Sequence, residues 1–136
     1  MSELRGNLSK EWASIDIMYD YDMQSNSWTG DYYELKNRGD HCQFIYHNHN
    51  HNTFEGIYCD FSIDIYNEIV DLVLSNTIEE YTLTADEHGK IIYDTVPYIM
   101  KLYWSGSDGR QILCKDPKNV TEIISKFEEL KQYAQE

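Results

Sequence analysis

Three histidines alternate with asparagines in segment 47–52, and imidazole is a common metal ligand in proteins. His47, His49 and His51 would share one face if the segment were a strand, and together they could bind Zn²⁺ or Ni²⁺. The same asparagine-rich run between two strand-like segments also fits a hairpin loop that needs no metal. We favour the loop and expect no cofactor. The alternative is a metal-binding or small-ligand-binding domain, or an enzyme, that uses these histidines.

Carboxylates are the most abundant reactive groups, and Asp16, Asp20 and Asp22 alternate within one strand-like run. Acid–base catalysis needs two carboxyl groups whose environments move their pKa values apart. Aspartates on the water-facing side of a strand do not meet that condition. We therefore expect these three residues to act through their charge.

The cysteines show no catalytic or metal-binding pattern. Cys42, Cys59 and Cys114 include no CxxC pair, and no base stands at a spacing typical of an activated nucleophile. We interpret them as reduced thiols of a cytoplasmic protein. Sequence signatures of phosphate-binding loops, serine hydrolases, zinc proteases and calcium loops are also missing from the sequence, so we expect no enzymatic activity.

The elements that must position these residues follow from the period of the apolar side chains. Apolar residues alternate with polar ones over 15–23, which is typical of a strand. Further strand-like runs separated by short turns predict an N-terminal antiparallel meander. About seven strands are expected, over 15–23, 31–36, 42–47, 53–61, 78–84, 97–104 and 110–115, with 91–93 as a further candidate.

Two segments show helical spacing instead. The internal helix is predicted over 63–75, with Ser62 as its N-cap, and the C-terminal helix over 117–134. The last two strands should form a hairpin around the glycine-rich turn at 105–109. The predicted class is α+β, a mostly antiparallel sheet with helices covering one face. Residues 1–136 form a single domain, in which residues 1–11 can be a flexible arm.

The net charge of the chain indicates which classes of partner it can bind. Its 136 residues include 24 acidic and 11 basic side chains, a net charge of −13. A magnitude of about 2–8 is usual for a small soluble domain. Such a charge repels nucleic-acid backbones and attracts basic proteins. The apolar runs are too short to span a membrane, and the N-terminus has no secretory signal, so we expect a cytoplasmic protein.

Aromatic residues suggest how a basic partner would be held. The chain contains 12 tyrosines, and tyrosine and tryptophan are enriched in protein interfaces. We expect Trp28 and Trp104 to be exposed. A homodimer through exposed tyrosines stays open as a third alternative. The residues predicted to bind a partner are Asp16, Asp20, Asp22, Trp28, Asp31 and Tyr33.

In size, acidity and layout the whole chain resembles bacterial immunity proteins that neutralise toxins, and small inhibitors encoded by phages. The resemblance is one of class and carries no motif or residue. It implies a protein that occupies the cationic cleft of a basic partner, such as a nuclease toxin. Fast, salt-sensitive association would follow from electrostatic steering.

Overall fold

The fold is an antiparallel sheet with helices packed against it. The computed structural model describes residues 2–22, 24–25, 27–48, 56–75, 84–92, 95–104, 111–114 and 120–135. In chain order the elements are α1 (Ser2–Leu8), β1 (Ser14–Asp22), β2 (Ser27–Trp28), β3 (Asp31–Asn37), β4 (His41–Asn48), β5 (Ile57–Ser62), α2 (Ile63–Leu74), β6 (Thr84–Ala85), β7 (Ile91–Ile92), β8 (Thr95–Tyr103), β9 (Gln111–Cys114) and α3 (Val120–Gln135).

The main sheet has the strand order β5-β4-β3-β1-β8-β9, and the short β2 pairs with β1. A separate hairpin joins β6 to β7. Every pairing among the described strands is antiparallel. The α+β class, the N-terminal meander and the β8–β9 hairpin are therefore confirmed. The predicted turn at 105–109 and parts of other predicted elements (23, 53–55, 78–83, 93, 110, 115 and 117–119) lie outside the described residues.

Strand β1 lies in the middle of the sheet, and this position corrects one prediction. Ile15 is paired with Leu35 of β3 on one side and with Leu102 of β8 on the other. Residues 14–18 are all buried, the outward-pointing positions included. Asp16 was expected on a water-facing side, and that expectation is wrong. Asp16 has little access to water because β1 is a central strand and its second face is partly covered.

The helices α2 and α3 pack on one face of the sheet. Ser62 begins α2 as predicted, because its Oγ accepts a hydrogen bond of 3.2 Å from the Asp64 N–H. A second, smaller cluster of Met18, Tyr21 and Ile99 lies apart from this core. The main core joins strand, α2 and α3 side chains, among them Ile15, Ile17, Tyr33, Leu35, Phe44, Met100, Leu102, Tyr66, Ile69, Val73, Ile123 and Phe127.

The segment suggested as a flexible arm contains a packed helix. Leu8 at the end of α1 is fully buried, and its carbonyl accepts a 2.6 Å hydrogen bond from the Tyr66 hydroxyl of α2. Arg5 Nη1 also lies 2.8 Å from Asp71 Oδ1 of α2. Leu4 and Leu8 are four residues apart, a spacing that puts both on one side of a single helical turn. This short signal was too weak to predict docking.

Removing the Tyr66 hydroxyl should loosen α1. In Tyr66→Phe the buried Leu8 carbonyl keeps only Asn37 Nδ2 at 3.5 Å, so we expect a loss of about 1–3 kcal/mol in the free energy of unfolding. Urea denaturation measures that loss, and hydrogen exchange should show earlier opening of residues 2–8. Tyr133→Phe, at an exposed tyrosine of α3, is the matched control. Unchanged exchange in α1 would contradict the role of this bond.

The tryptophans are not placed as predicted. Trp104, expected at the surface, is buried in the main core. Trp12 is the exposed one, with 46% of its surface accessible. Trp28 is half-buried and stacks on Tyr32 at a centroid distance of 4.9 Å. None of the helices among the described residues is long and apolar enough to cross a membrane.

Candidate functional site

The structure divides the six residues predicted to bind a partner. Asp20, Asp22, Trp28 and Asp31 lie around the connection from β1 through β2 to β3. Tyr21 of β1 pairs with Trp28 of β2. A Cβ atom added to Gly30, which precedes Asp31 in the chain, would lie 2.9 Å from Asp20 Oδ2. The other two predicted residues, Asp16 and Tyr33, are buried elsewhere.

Asp20 lies where the pairing of β1 with the β2–β3 side changes register. Met18 pairs with Tyr32, whereas Tyr21 pairs with Trp28, so the three residues 29–31 stand opposite only two residues of β1, Tyr19 and Asp20. Asp20 adopts a φ of 51°, the left-handed conformation that aspartate tolerates better than most residues. Bulges of this kind re-aim side chains. The Asp20 carboxylate is exposed at this point.

Asp31 is held in place by the neighbouring strand β4. Its Oδ1 accepts hydrogen bonds from the Tyr46 hydroxyl at 3.0 Å and from Asn48 Nδ2 at 2.5 Å. The carboxylate is therefore oriented before any partner arrives. This reduces the conformational entropy lost on binding.

A carboxylate of α3 faces the same region. Burial raises the pKa of Tyr19, and the negative charges of Glu128 and Asp31 raise it further, as does Tyr98. Both carboxylates therefore lie close enough to one tyrosine to act on its charge. We define the acidic end as Asp20, Asp22, Asp31 and Glu128. Among the described residues, none of these four forms an ion pair with a lysine or arginine.

Tyr33 is a core residue that lies next to the acidic end. It is 3% exposed, and its ring centroid lies 5.0 Å from that of Tyr46 and 5.6 Å from that of Phe127. Burial, followed by the charge of Asp31, raises the pKa of Tyr33. The tyrosine is part of the core and cannot serve as an exposed anchor. Only the half-buried Trp28 remains of the two aromatics predicted to bind.

Asp16 is buried beside the partly buried Glu34 on the sheet face opposite α2 and α3. The two residues are register partners, and the Tyr32 hydroxyl lies 2.5 Å from Glu34 Oε2 and 3.4 Å from Asp16 Oδ2. Burial, reinforced by the charge of Glu34, raises the pKa of Asp16 to about 8, while Ser14, Lys101 and Tyr32 lower it by less. A buried carboxyl group with a raised pKa, which the sequence did not predict, is therefore present here.

Of the three alternating histidines, the structure describes His47 alone. Its Nε2 lies 3.1 Å from the Tyr58 hydroxyl of β5. A Cβ atom on Gly56 would collide with the His47 ring and lie 2.8 Å from the Tyr46 carbonyl oxygen, so the chain needs glycine at this close approach. His49 and His51 lie outside the described residues. Within the described part, no three His, Cys, Asp or Glu side chains could hold a metal ion.

The described cysteines form no disulfide, and the Cys42 thiol is unreactive. Cys42 pairs in register with Phe61, and Cys59 with Phe44, so the two cysteines are offset across the β4–β5 pair. Burial raises the pKa of the Cys42 thiol to about 11. A thiol that stays protonated at neutral pH is a poor nucleophile.

Sequence reasoning missed Glu128 of the acidic end and the exposed Trp12, which lies elsewhere. Glu128 follows the buried Phe127, so the sequence predicts its place beside the apolar stripe of α3. Its proximity to Asp31 depends on how the helix docks, which the sequence does not predict. Trp12 follows no periodic pattern, and no sequence signal marked it.

Comparison of the chain with protein-family models, with curated proteins and with solved structures finds no match.

Proposed function

We propose that the chain is an acidic protein-binding module, an immunity protein or inhibitor that blocks a basic partner such as a nuclease toxin. The observation that carries the proposal is the acidic end: Asp20 and Asp22 near the end of β1, Asp31 at the start of β3 and Glu128 of α3 form no ion pair with lysine or arginine among the described residues. Carboxylates whose charge is not neutralised by a cationic side chain attract a cationic surface.

The rest of the molecule adds to this attraction. The net charge is −13, and only three ion pairs join a carboxylate to lysine or arginine in the described part of the chain. The field that remains steers a basic protein toward the chain and accelerates association. Reduced thiols at Cys42 and Cys59 fit the cytoplasm, where we place the protein.

Inhibition would follow from occupancy of the partner's cationic cleft. Asp20, Asp22 and Asp31 would take the positions of nucleic-acid phosphates, and Trp28 beside them would fix the register. Asp31 is already oriented by Tyr46 and Asn48. The expected complex therefore forms rapidly and weakens as salt concentration rises.

The test is a pull-down from the native host with stepped salt elution, followed by affinity measurement with the protein recovered. The double variant Asp20→Lys, Asp22→Lys should bind at least about tenfold more weakly and show a shallower salt dependence. Asp60→Lys with Glu87→Lys is the control, because both residues are exposed, lie outside the acidic end and change net charge equally. Equal losses in both variants would assign the effect to net charge. Recovery of the chain alone would favour self-association.

A further inference from the structure

A shallow depression lies on the outer face of the sheet, opposite α2 and α3, and is separate from the acidic end. We call it the outer depression. Its volume is about 470 Å³. It is lined by Trp12, Ser14, Asp16, Glu34, Lys36, Lys101 and Tyr103.

We propose that the outer depression binds a neutral saccharide, with Asp16 and Glu34 engaging its hydroxyl groups and Trp12 and Tyr103 packing against its ring. This binding activity goes beyond the blocking of a basic partner and uses different residues.

The first support is an unsatisfied carboxyl oxygen. Asp16 is 8% exposed, lines the outer depression, and its Oδ1 has no hydrogen-bond partner among the described residues. Buried polar atoms without partners are rare in folded proteins and mark places where water or a ligand completes the structure. A ligand hydroxyl can donate to this oxygen when Asp16 is ionised and accept from it when Asp16 is protonated.

The second support is the balance of charge. Glu34 Oε1 lies 3.0 Å from Lys36 Nζ, and Asp16 is the register partner of Lys101 on β8. The outer depression thus contains two carboxyl groups and two ammonium groups, in a protein whose net charge is −13. An ionic ligand would meet a like charge here. Sugar hydroxyls accept from ammonium groups and donate to carboxylates, so they suit a site with both.

The third support is the pair of aromatic side chains at the rim. Trp12 is 46% exposed and Tyr103 is 39% exposed, so both rings have free surface. Such rings can pack against the apolar C–H face of a sugar while polar groups bind its edge. Both residues line a depression that is otherwise polar.

The backbone at Trp12 is also unusual. Trp12 has a φ of 76°, a conformation that costs a bulky residue stability. It is fixed by a 2.7 Å hydrogen bond from its amide to the Asn37 carbonyl, and Arg38 Cζ lies 4.0 Å from the centroid of its ring. The surrounding structure therefore holds an exposed indole in one place, which a binding platform requires.

Nuclear magnetic resonance titration with methyl glycosides of glucose, galactose, mannose and N-acetylglucosamine tests the proposal. We expect saturable shifts at Trp12 and Tyr103 with at least one glycoside. The affinity should fall about tenfold in Trp12→Ala and in Asp16→Asn, which remove a platform and a hydrogen-bonding group. Trp12→Ala and Tyr103→Ala alter exposed side chains, so they test the site independently of any change in stability at Asp16.

The matched control is Tyr58→Ala, which removes an exposed tyrosine of the same sheet face outside the outer depression. It should bind like the parent protein. The proposal is overturned if no glycoside gives a saturable response, if Tyr58→Ala weakens binding as much as Trp12→Ala, or if arginine amide or inorganic phosphate binds more tightly than every glycoside. Each result leaves the acidic end, and its partner, separately testable.

Discussion

Replacing Asp16 by asparagine should make the protein more stable than the parent above pH 8, and the gain should vanish near pH 4. Burial raises the pKa of Asp16 to about 8, whereas an aspartate in the unfolded chain titrates near pH 4. Folding therefore favours the protonated carboxyl. The parent keeps its full stability below the unfolded pKa and loses it as the pH rises through the folded value. Asparagine carries no charge at either pH.

The expected difference is large, because each unit of pKa corresponds to about 1.4 kcal/mol. Because burial raises the pKa of Asp16, the stability of the parent falls relative to that of the variant as the pH rises from the unfolded toward the folded pKa. Glu34, Lys101, Ser14 and Tyr32 face Asp16, and all four stay in the variant. Urea denaturation across this pH range measures the effect. Asp20→Asn, at an exposed aspartate of the same strand, should follow the parent curve. Parallel curves for Asp16→Asn and the parent would show that Asp16 is ionised without penalty.

The local elements of the fold could be predicted from the sequence because their signals lie within a few residues. The alternation over 15–23 corresponds to β1 at Ser14–Asp22, and Ser62 caps α2 as expected. The turn residues between β3, β4 and β5 specified the order of the meander. Each of these features depends on side-chain period or on the chemistry of a cap or turn.

The burial of Asp16 could not be predicted in the same way. It depends on β8, which pairs with β1 from about 80 residues further along the chain and makes β1 a central strand. Period-two alternation indicates which residues share a face, but says nothing about how well that face is covered. The same alternation is consistent with a solvated row of aspartates and with a buried Asp16 opposite Glu34.

The candidate site was partly predictable for a related reason. Asp20, Asp22 and Asp31 are close in sequence, so a short connection between their strands brings them together. Glu128 joins them only because α3 docks against Tyr33 and its neighbours. The residue type of Tyr33 favours a place in an interface, but the docking of α3 puts its ring in the core.

Truncating Phe127 to alanine should cost about 3–5 kcal/mol of the free energy of unfolding. Phe127 of α3 is fully buried, and its ring centroid lies 5.6 Å from that of Tyr33 and 6.3 Å from that of Phe44. The variant loses the transfer energy of the ring and leaves a cavity where α3 meets β3 and β4. The free energy of unfolding of such a domain is about 5–15 kcal/mol in total. The midpoint of chemical denaturation should therefore move to a much lower denaturant concentration.

Tyr133→Ala provides the control, because it removes an aromatic ring from the same helix at a position that is 61% exposed. Its cost should stay within about 0.5 kcal/mol. The comparison also bears on the acidic end, since Glu128 stands next to Phe127 and reaches Tyr19 and Tyr33 only while α3 is docked. Phe127→Ala should therefore weaken partner binding as well as stability. Equal, small losses of stability in both variants would mean that Phe127 does not fix α3, and Glu128 would then have to be removed from the acidic end.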